Sequence, residues 1–316
     1  MPTIYGPVCQ LGFLISYLIA PGALWPWKLL LLMADVALLI LLRQLGGKKT
    51  GIRGAMFAAW CPLSICETAF NAHPDALAVS LITGALLAWY LNRDRWLGVL
   101  CGAAIGAKVF ALLLVPFLLW RRRASAWVCA AATVLACYAP FWLQGSLADL
   151  TGLHIFSRDW EFNSSGYALL AWGLRPEFAR PVAALVFAAA WLAIFWRWTR
   201  CTHDREALVP GRFVLLLFFL LAPTFNPWYA LWLLPFVALQ PTLSGITALM
   251  VVSLSYITRQ NLGEATGDGF AHPFWVRCVE FGLLGLALLV EFFVRNSASI
   301  ELFKVRSADH QSDSGT

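Results

Sequence analysis

The sequence predicts an all-α bundle embedded in a membrane, with about 9–11 membrane segments. Three observations carry this expectation. Of the 316 residues 60% are hydrophobic, only 13% are charged, and the apolar residues fall in long Leu-, Ala- and Phe-rich runs separated by short basic breaks. Soluble chains carry roughly 25% charged residues, so a mean hydropathy of +0.71 excludes a water-soluble fold. Lipid cannot satisfy an exposed backbone, which restricts spanning segments to helices or closed barrels. The continuous apolar runs lack the period-two alternation of barrel strands.

Taken in order, residues 1–25 form an outer-face interfacial segment. Met1-Pro2-Thr3-Ile4-Tyr5-Gly6-Pro7 has no basic n-region and is no signal peptide. Val8 to Ala20, ended by Pro21-Gly22, is too short to span. Spans are expected near 26–42, 54–70, 75–91, 96–119, 124–144, 181–196, 213–223, 228–240, 243–258 and 274–294, together a transmembrane domain over 26–295 with a long outer loop at 145–180. Residues 296–316 make a cytoplasmic tail, expected to be disordered from Ser307 onward, where Ser, Asp and Gln dominate.

Basic clusters set the orientation, because cytoplasmic loops collect Lys and Arg. Arg43/Lys48/Lys49/Arg53, Arg93/Arg95, Arg121 to Arg123, Arg197/Arg200/Arg205/Arg212 and Arg295/Lys304/Arg306 hold most of the 23 basic residues. All five are cytoplasmic together only if residues 96–119 turn back as a hairpin of two half-length helices near Gly102 to Lys108. The other geometry is one crossing with a buried, paired Lys108. The net charge of +6 reports topology and not nucleic-acid binding. The eight cysteines read as small buried side chains apart from Cys201, whose neighbours His203 and Asp204 make at most half of a metal site.

Under this orientation the polar motifs gather on the extracytoplasmic face. Asp35, seven residues after Lys28, is expected to pair with it. Lys108, a lone ammonium in a Gly/Ala-rich span, suits a phosphate, and Arg259 in the outer break 259–273 is expected as a second phosphate-binding cation. Asn71-Ala72-His73-Pro74-Asp75 is either a helix cap or a site whose groups bind sugar hydroxyls or take a proton. Arg158-Asp159-Trp160-Glu161-Phe162-Asn163 alternates charge with rings, as sugar stacking or membrane anchoring would require. Pro223-Thr224-Phe225-Asn226-Pro227-Trp228-Tyr229, then Trp232, forms a proline-enforced aromatic turn.

The order Asn-x-His-x-Asp, lone Lys, Trp-Glu-Phe-Asn loop and late Asn-Pro-Trp-Tyr turn resembles the GT-C superfamily, and within it the bacterial polyprenyl-phosphate-mannose-dependent mannosyltransferases, over roughly residues 3–295. The resemblance implies a GT-C-like bundle in the bacterial plasma membrane. It implies inverting transfer of a sugar, with mannose expected first, from a polyprenyl-phosphate donor to a glycan or glycolipid acceptor on the extracytoplasmic face. Lys108 and Arg259 would hold the donor phosphate. Tyr5, Asn71, His73, Trp160, Asn163, Asn226, Trp228 and Tyr229 would line the substrate cavity. Members usually begin with a span and an outer loop bearing the essential acidic residue, and Pro2 to Pro7 resembles the stretch just after that loop. The chain is therefore expected to be truncated, to use Asp75, Asp159 or Glu161 as base, or to be an inactive homologue. The resemblance fixes no cofactor, and such carboxylates also suit a divalent cation. The rival class is a transporter or flippase of a lipid-linked sugar, for which inverted repeats would be the sign. The sequence contains no convincing internal repeat.

Overall fold

Where glycine, proline and buried polar groups interrupt an apolar run decides whether it crosses a bilayer in one piece. In the computed structural model, which describes residues 4–143, 148–200, 208–263 and 271–312, every expected span coincides with helical structure. Among the described residues three helices are long and apolar enough to cross unaided: Trp25–Leu45 (within which lies the first expected span), Ala124–Leu143 and Glu177–Thr199. Apart from the long C-terminal helix Phe274–Ser312, the other described helices are short or broken, and the breaks hold most of the polar motifs.

Helix α1 (Pro7–Ile19) docks across the bundle end, its Cys9 Sγ donating to Ala107 O at 3.4 Å. Helix α2 (Trp25–Leu45) follows. The expected Lys28–Asp35 pair does not form. Seven residues are about 10 Å of rise, too far for an ion pair; Ser64 Oγ donates to Asp35 at 3.3 Å instead, and Lys28 sits over the Phe70 ring at 5.9 Å. The expected single span at 54–70 is two pieces, α3 (Ile52–Ala59) and α4 (Pro62–Ser64), the latter continuing as a π-helical turn, Ile65–Phe70. Pro62 forces the preceding Cys61 out of the helical region, to φ −69° and ψ 114°. Next comes α5 (Asp75–Tyr90), bent by 119° from Pro62–Phe70.

The segment 96–119 is the hairpin of the two geometries. Helix α6 (Asp94–Ala107) stops at an extended Lys108 (φ −150°, ψ 129°), and a 3-10 turn, Val109–Leu113, leads into α7 (Val115–Leu119). The chain is then back where it started. Arg122 donates to Asn92 Oδ1 at 2.6 Å and to Trp89 O at 2.7 Å, while Arg122 and Arg123 both lie 3.8 Å from Asp94. Helix α8 (Ala124–Leu143) consequently runs parallel to α6, and the two touch through glycines. A Cβ on Gly98 would come within 2.8 Å of Cys129, one on Gly102 within 2.7 Å of Ala130 O, and one on Gly106 within 3.2 Å of Cys137 Sγ. This is small-xxx-small packing, which lets membrane helices approach closely.

Within the expected loop 145–180 the described residues form α9 (Ala148–Asp159) and α10 (Gly166–Gly173). Helix α11 (Pro176–Thr199) begins earlier than expected because Pro176 stands at its first turn, where a missing N–H costs nothing. After α12 (Leu208–Leu221), a buried 3-10 helix, Pro227–Leu233, runs into α13 (Leu234–Leu239), and together they are the centre of the core, with Trp232 and Leu233 fully buried. Helix α14 (Leu243–Val251) extends as a 3-10 turn to Tyr256. Helix α15 (Phe274–Ser312) runs past the expected span end at 294 into the tail expected to be disordered, since no glycine or proline interrupts the chain from Leu286 to Ser312. Large apolar side chains stand exposed along α2, α8 and α11, among them Met33, Trp142, Leu185 and Trp196, as the lipid-facing sides of membrane helices do.

Candidate active site

The site is assembled at the turn that joins α4 to α5. Its π-helical end closes with Asn71 N–H donating to Cys66 O at 2.8 Å, and Ala72 then takes a left-handed conformation (φ 59°). A non-glycine residue there is strained by roughly 1–2 kcal/mol, and Trp27 Nε1 pins it by donating to Ala72 O at 2.9 Å. The reversal lets His73 N–H reach Glu67 O at 2.8 Å and brings three side chains together. Glu67, wholly buried, accepts from Asn71 Nδ2 at 3.3 Å on Oε2, and His73 Nε2 lies 3.4 Å from the same oxygen. Glu67 Oε1 has no hydrogen-bond partner. The His73 ring stacks on Trp228 at 3.9 Å and 12°.

Asp75 begins α5, where a carboxylate complements the helix N-terminus. It is fully buried and both its oxygens are engaged: Oδ2 accepts from Lys108 Nζ at 3.1 Å and Oδ1 from Trp232 Nε1 at 2.9 Å. Lys108, freed from the helix by the break at its own position, is enclosed by the Tyr5, Phe110 and Tyr229 rings at 5.5, 5.3 and 4.8 Å. Ring faces of this kind favour a desolvated cation. Tyr5 precedes the first helix, and burial, with the Asp75 carboxylate adding to it, pushes its phenol up to about 12, so it stays neutral. One short 3-10 helix serves both halves of the site, with Trp228 on His73 and Trp232 on Asp75.

Beside Lys108 opens a cavity of about 360 Å³. Its wall includes Phe156, Phe187, Phe218 and Leu221, and it shares Phe110 and Tyr229 with the Lys108 enclosure. Arg180, also on the wall, donates to Ser157 O at 2.6 Å and to Trp160 O at 2.9 Å, holding the end of α9 over the cavity.

The structure thus brings Tyr5, Asn71, His73, Asp75, Lys108, Trp228 and Tyr229 into one cluster. The remaining expected residues sit elsewhere. Asp159 is exposed and bound to Arg158 at 2.7 and 3.1 Å, which holds its carboxyl below the usual range. Glu161 is exposed and accepts from Ser164 Oγ at 2.9 Å. Neither touches the cluster. Asn163 is buried and donates to Glu280 at 2.8 Å. Trp160, exposed, packs on Phe156, and the bridge Phe162 to Thr224 ties this loop to the turn holding the buried Asn226. Arg259 is exposed, its N–H donating to Ala271 O.

Sequence reasoning missed Glu67 and Tyr256, whose hydroxyl lies 3.4 Å from Asn71 Nδ2, and named Trp232 in the aromatic turn without its bond to Asp75. Glu67 had a signal, as a lone carboxylate inside an apolar run, four residues from Asn71. Among the described residues no group of three or more His, Cys, Asp or Glu is arranged to hold a metal ion. Residues 201–204 lie outside those described. A family model described as glycosyltransferase family 87 matches residues 4–224. No curated protein and no solved structure matches the chain.

Proposed function

Since the chain belongs to glycosyltransferase family 87, a family of membrane glycosyltransferases, we propose that it moves a sugar, mannose in the first instance, from a polyprenyl-phosphate donor to a hydroxyl of a glycan or glycolipid. The proposed setting is the extracytoplasmic face of a bacterial plasma membrane, the side opposite the arginines at 93, 95 and 121–123. One observation carries the choice of donor. The buried cation Lys108 and the apolar cavity share two walls, Phe110 and Tyr229, so a phosphate at Lys108 would leave its isoprenoid chain to fill the cavity and its sugar to face His73 and Trp228.

Asp75 is then not the base. With both oxygens engaged it is the partner that holds Lys108 inside the bundle until the donor arrives. The carboxylates expected as bases at 159 and 161 are solvated and occupied with neighbours.

The test is transfer from radiolabelled polyprenyl-phosphate mannose to a mixed glycolipid acceptor in proteoliposomes. Losing a charge-assisted contact to phosphate is worth about 1.5–3 kcal/mol, so Lys108→Ala should raise the donor KM about 10- to 150-fold. No transfer by the intact chain, or donor KM unchanged in the variant, would sink this assignment.

A further inference from the structure

A sugar acceptor is a poor nucleophile until its hydroxyl proton has somewhere to go, and of the buried carboxylates at the cluster Asp75 is fully occupied. We propose that His73 takes that proton and that Glu67 is the positioning residue holding its ring, so that the two form a dyad of base and orienting carboxylate. The proposal rests on the glycosyltransferase reading above.

Four features point to this division of roles. Glu67 is 0% exposed whereas the His73 side chain retains 20% exposure, so only the imidazole reaches anything that enters. Nε2 faces Glu67 Oε2 at 3.4 Å, which leaves Nδ1, without a hydrogen-bond partner among the described residues, as the acceptor. A carboxylate on one ring nitrogen fixes the tautomer and steadies the imidazolium that forms. The ring cannot swing away, because it is stacked on Trp228 and its backbone N–H is tied to Glu67 O. Glu67 itself is steadied by Asn71.

The step balances. The acceptor O–H bond breaks and its proton goes to His73 Nδ1. The oxygen forms a bond to the anomeric carbon as the bond from that carbon to the phosphate oxygen breaks. The electron pair leaves on polyprenyl phosphate, next to Lys108. The strained Ala72 between Asn71 and His73 fits this view, since strain persists where surrounding structure holds a residue in place for use.

The experiment is the same proteoliposome transfer, with donor binding measured separately. His73→Ala should lower kcat about 10²- to 10⁴-fold while donor binding stays within a few-fold, and added imidazole should restore part of the lost rate. Glu67→Gln should lower kcat without imidazole rescue, and Glu67→Asp should recover some of it. A His73→Ala protein whose kcat is unchanged, or whose rate falls without rescue by imidazole, overturns the dyad while transfer by the intact chain stands. Donor binding without any transfer by the intact chain overturns the transferase reading, and the dyad with it.

Discussion

Each oxygen of Asp75 has a partner, and that completeness fixes the side chain's role. Removing one member of a buried ion pair strands the other, at about 3–5 kcal/mol. Asp75→Asn is therefore expected to lower the midpoint of thermal unfolding in detergent by several degrees, and the double variant Asp75→Leu with Lys108→Met to recover much of that loss while keeping the weakened affinity for the proposed donor expected of Lys108→Ala. Differential scanning of the single and double variants checks both. At this scale the sequence was informative where a polar residue broke an apolar run, as at Lys108, Asn71, His73 and Asp75. It misled where a charge had to be assigned a partner. Lys28 and Asp35 looked paired on periodicity, yet Ser64, distant in sequence, is what Asp35 meets. Glu67 was passed over because it lay inside what read as one continuous span. Its role depends on a π-turn and a left-handed alanine that no local pattern announces.

Among the elements, the contact of α6 with α8 is the one most exposed to a single change. Gly102 has Thr133 Cβ and Ala130 O within 2.6 and 2.7 Å of where a Cβ would stand. Overpacking of a tight core costs about 1–3 kcal/mol. Gly102→Val should separate the helices, displace the Lys108 tip and reduce both the folded yield and the unfolding midpoint. Gly285, with nothing near its Cβ position, is the matched control. The hairpin followed from charge, because Arg93 and Arg121 flank the same run. The parallel pairing it forces could not be read from any one segment, as it concerns how two runs far apart in sequence stack. The short 3-10 helix at Pro227 read as a turn leading into a span at 228–240; it is buried, and it carries both Trp228 on His73 and Trp232 on Asp75.

For the molecule as a whole, the all-α membrane class was written in composition, since nothing but the bilayer could accommodate so many apolar side chains. The count of unbroken crossings was not, because hydropathy averages across the breaks that matter. The structure puts Arg122 and Arg123 beside Asp94 at one end of the bundle and Lys108 beside Asp75 at the other. Cysteines introduced at positions 95 and 123 should therefore react with an impermeant maleimide from one side of sealed vesicles. A cysteine at position 71, exposed beside the site, should react from the opposite side. Labelling of 95 and 123 from different sides would contradict the hairpin.

The buried pair of Lys108 and Asp75 is electrically neutral before any ligand comes. On the proposed reading a donor phosphodiester would bring one negative charge to this buried pair, and its binding would exchange one internal partner of the ammonium for another without shedding a counterion atmosphere. Raising ionic strength shortens the Debye length to a few ångströms in water but leaves such an exchange nearly untouched. Donor affinity should accordingly stay almost flat across a salt series, unlike anion capture by a lysine patch on an open surface.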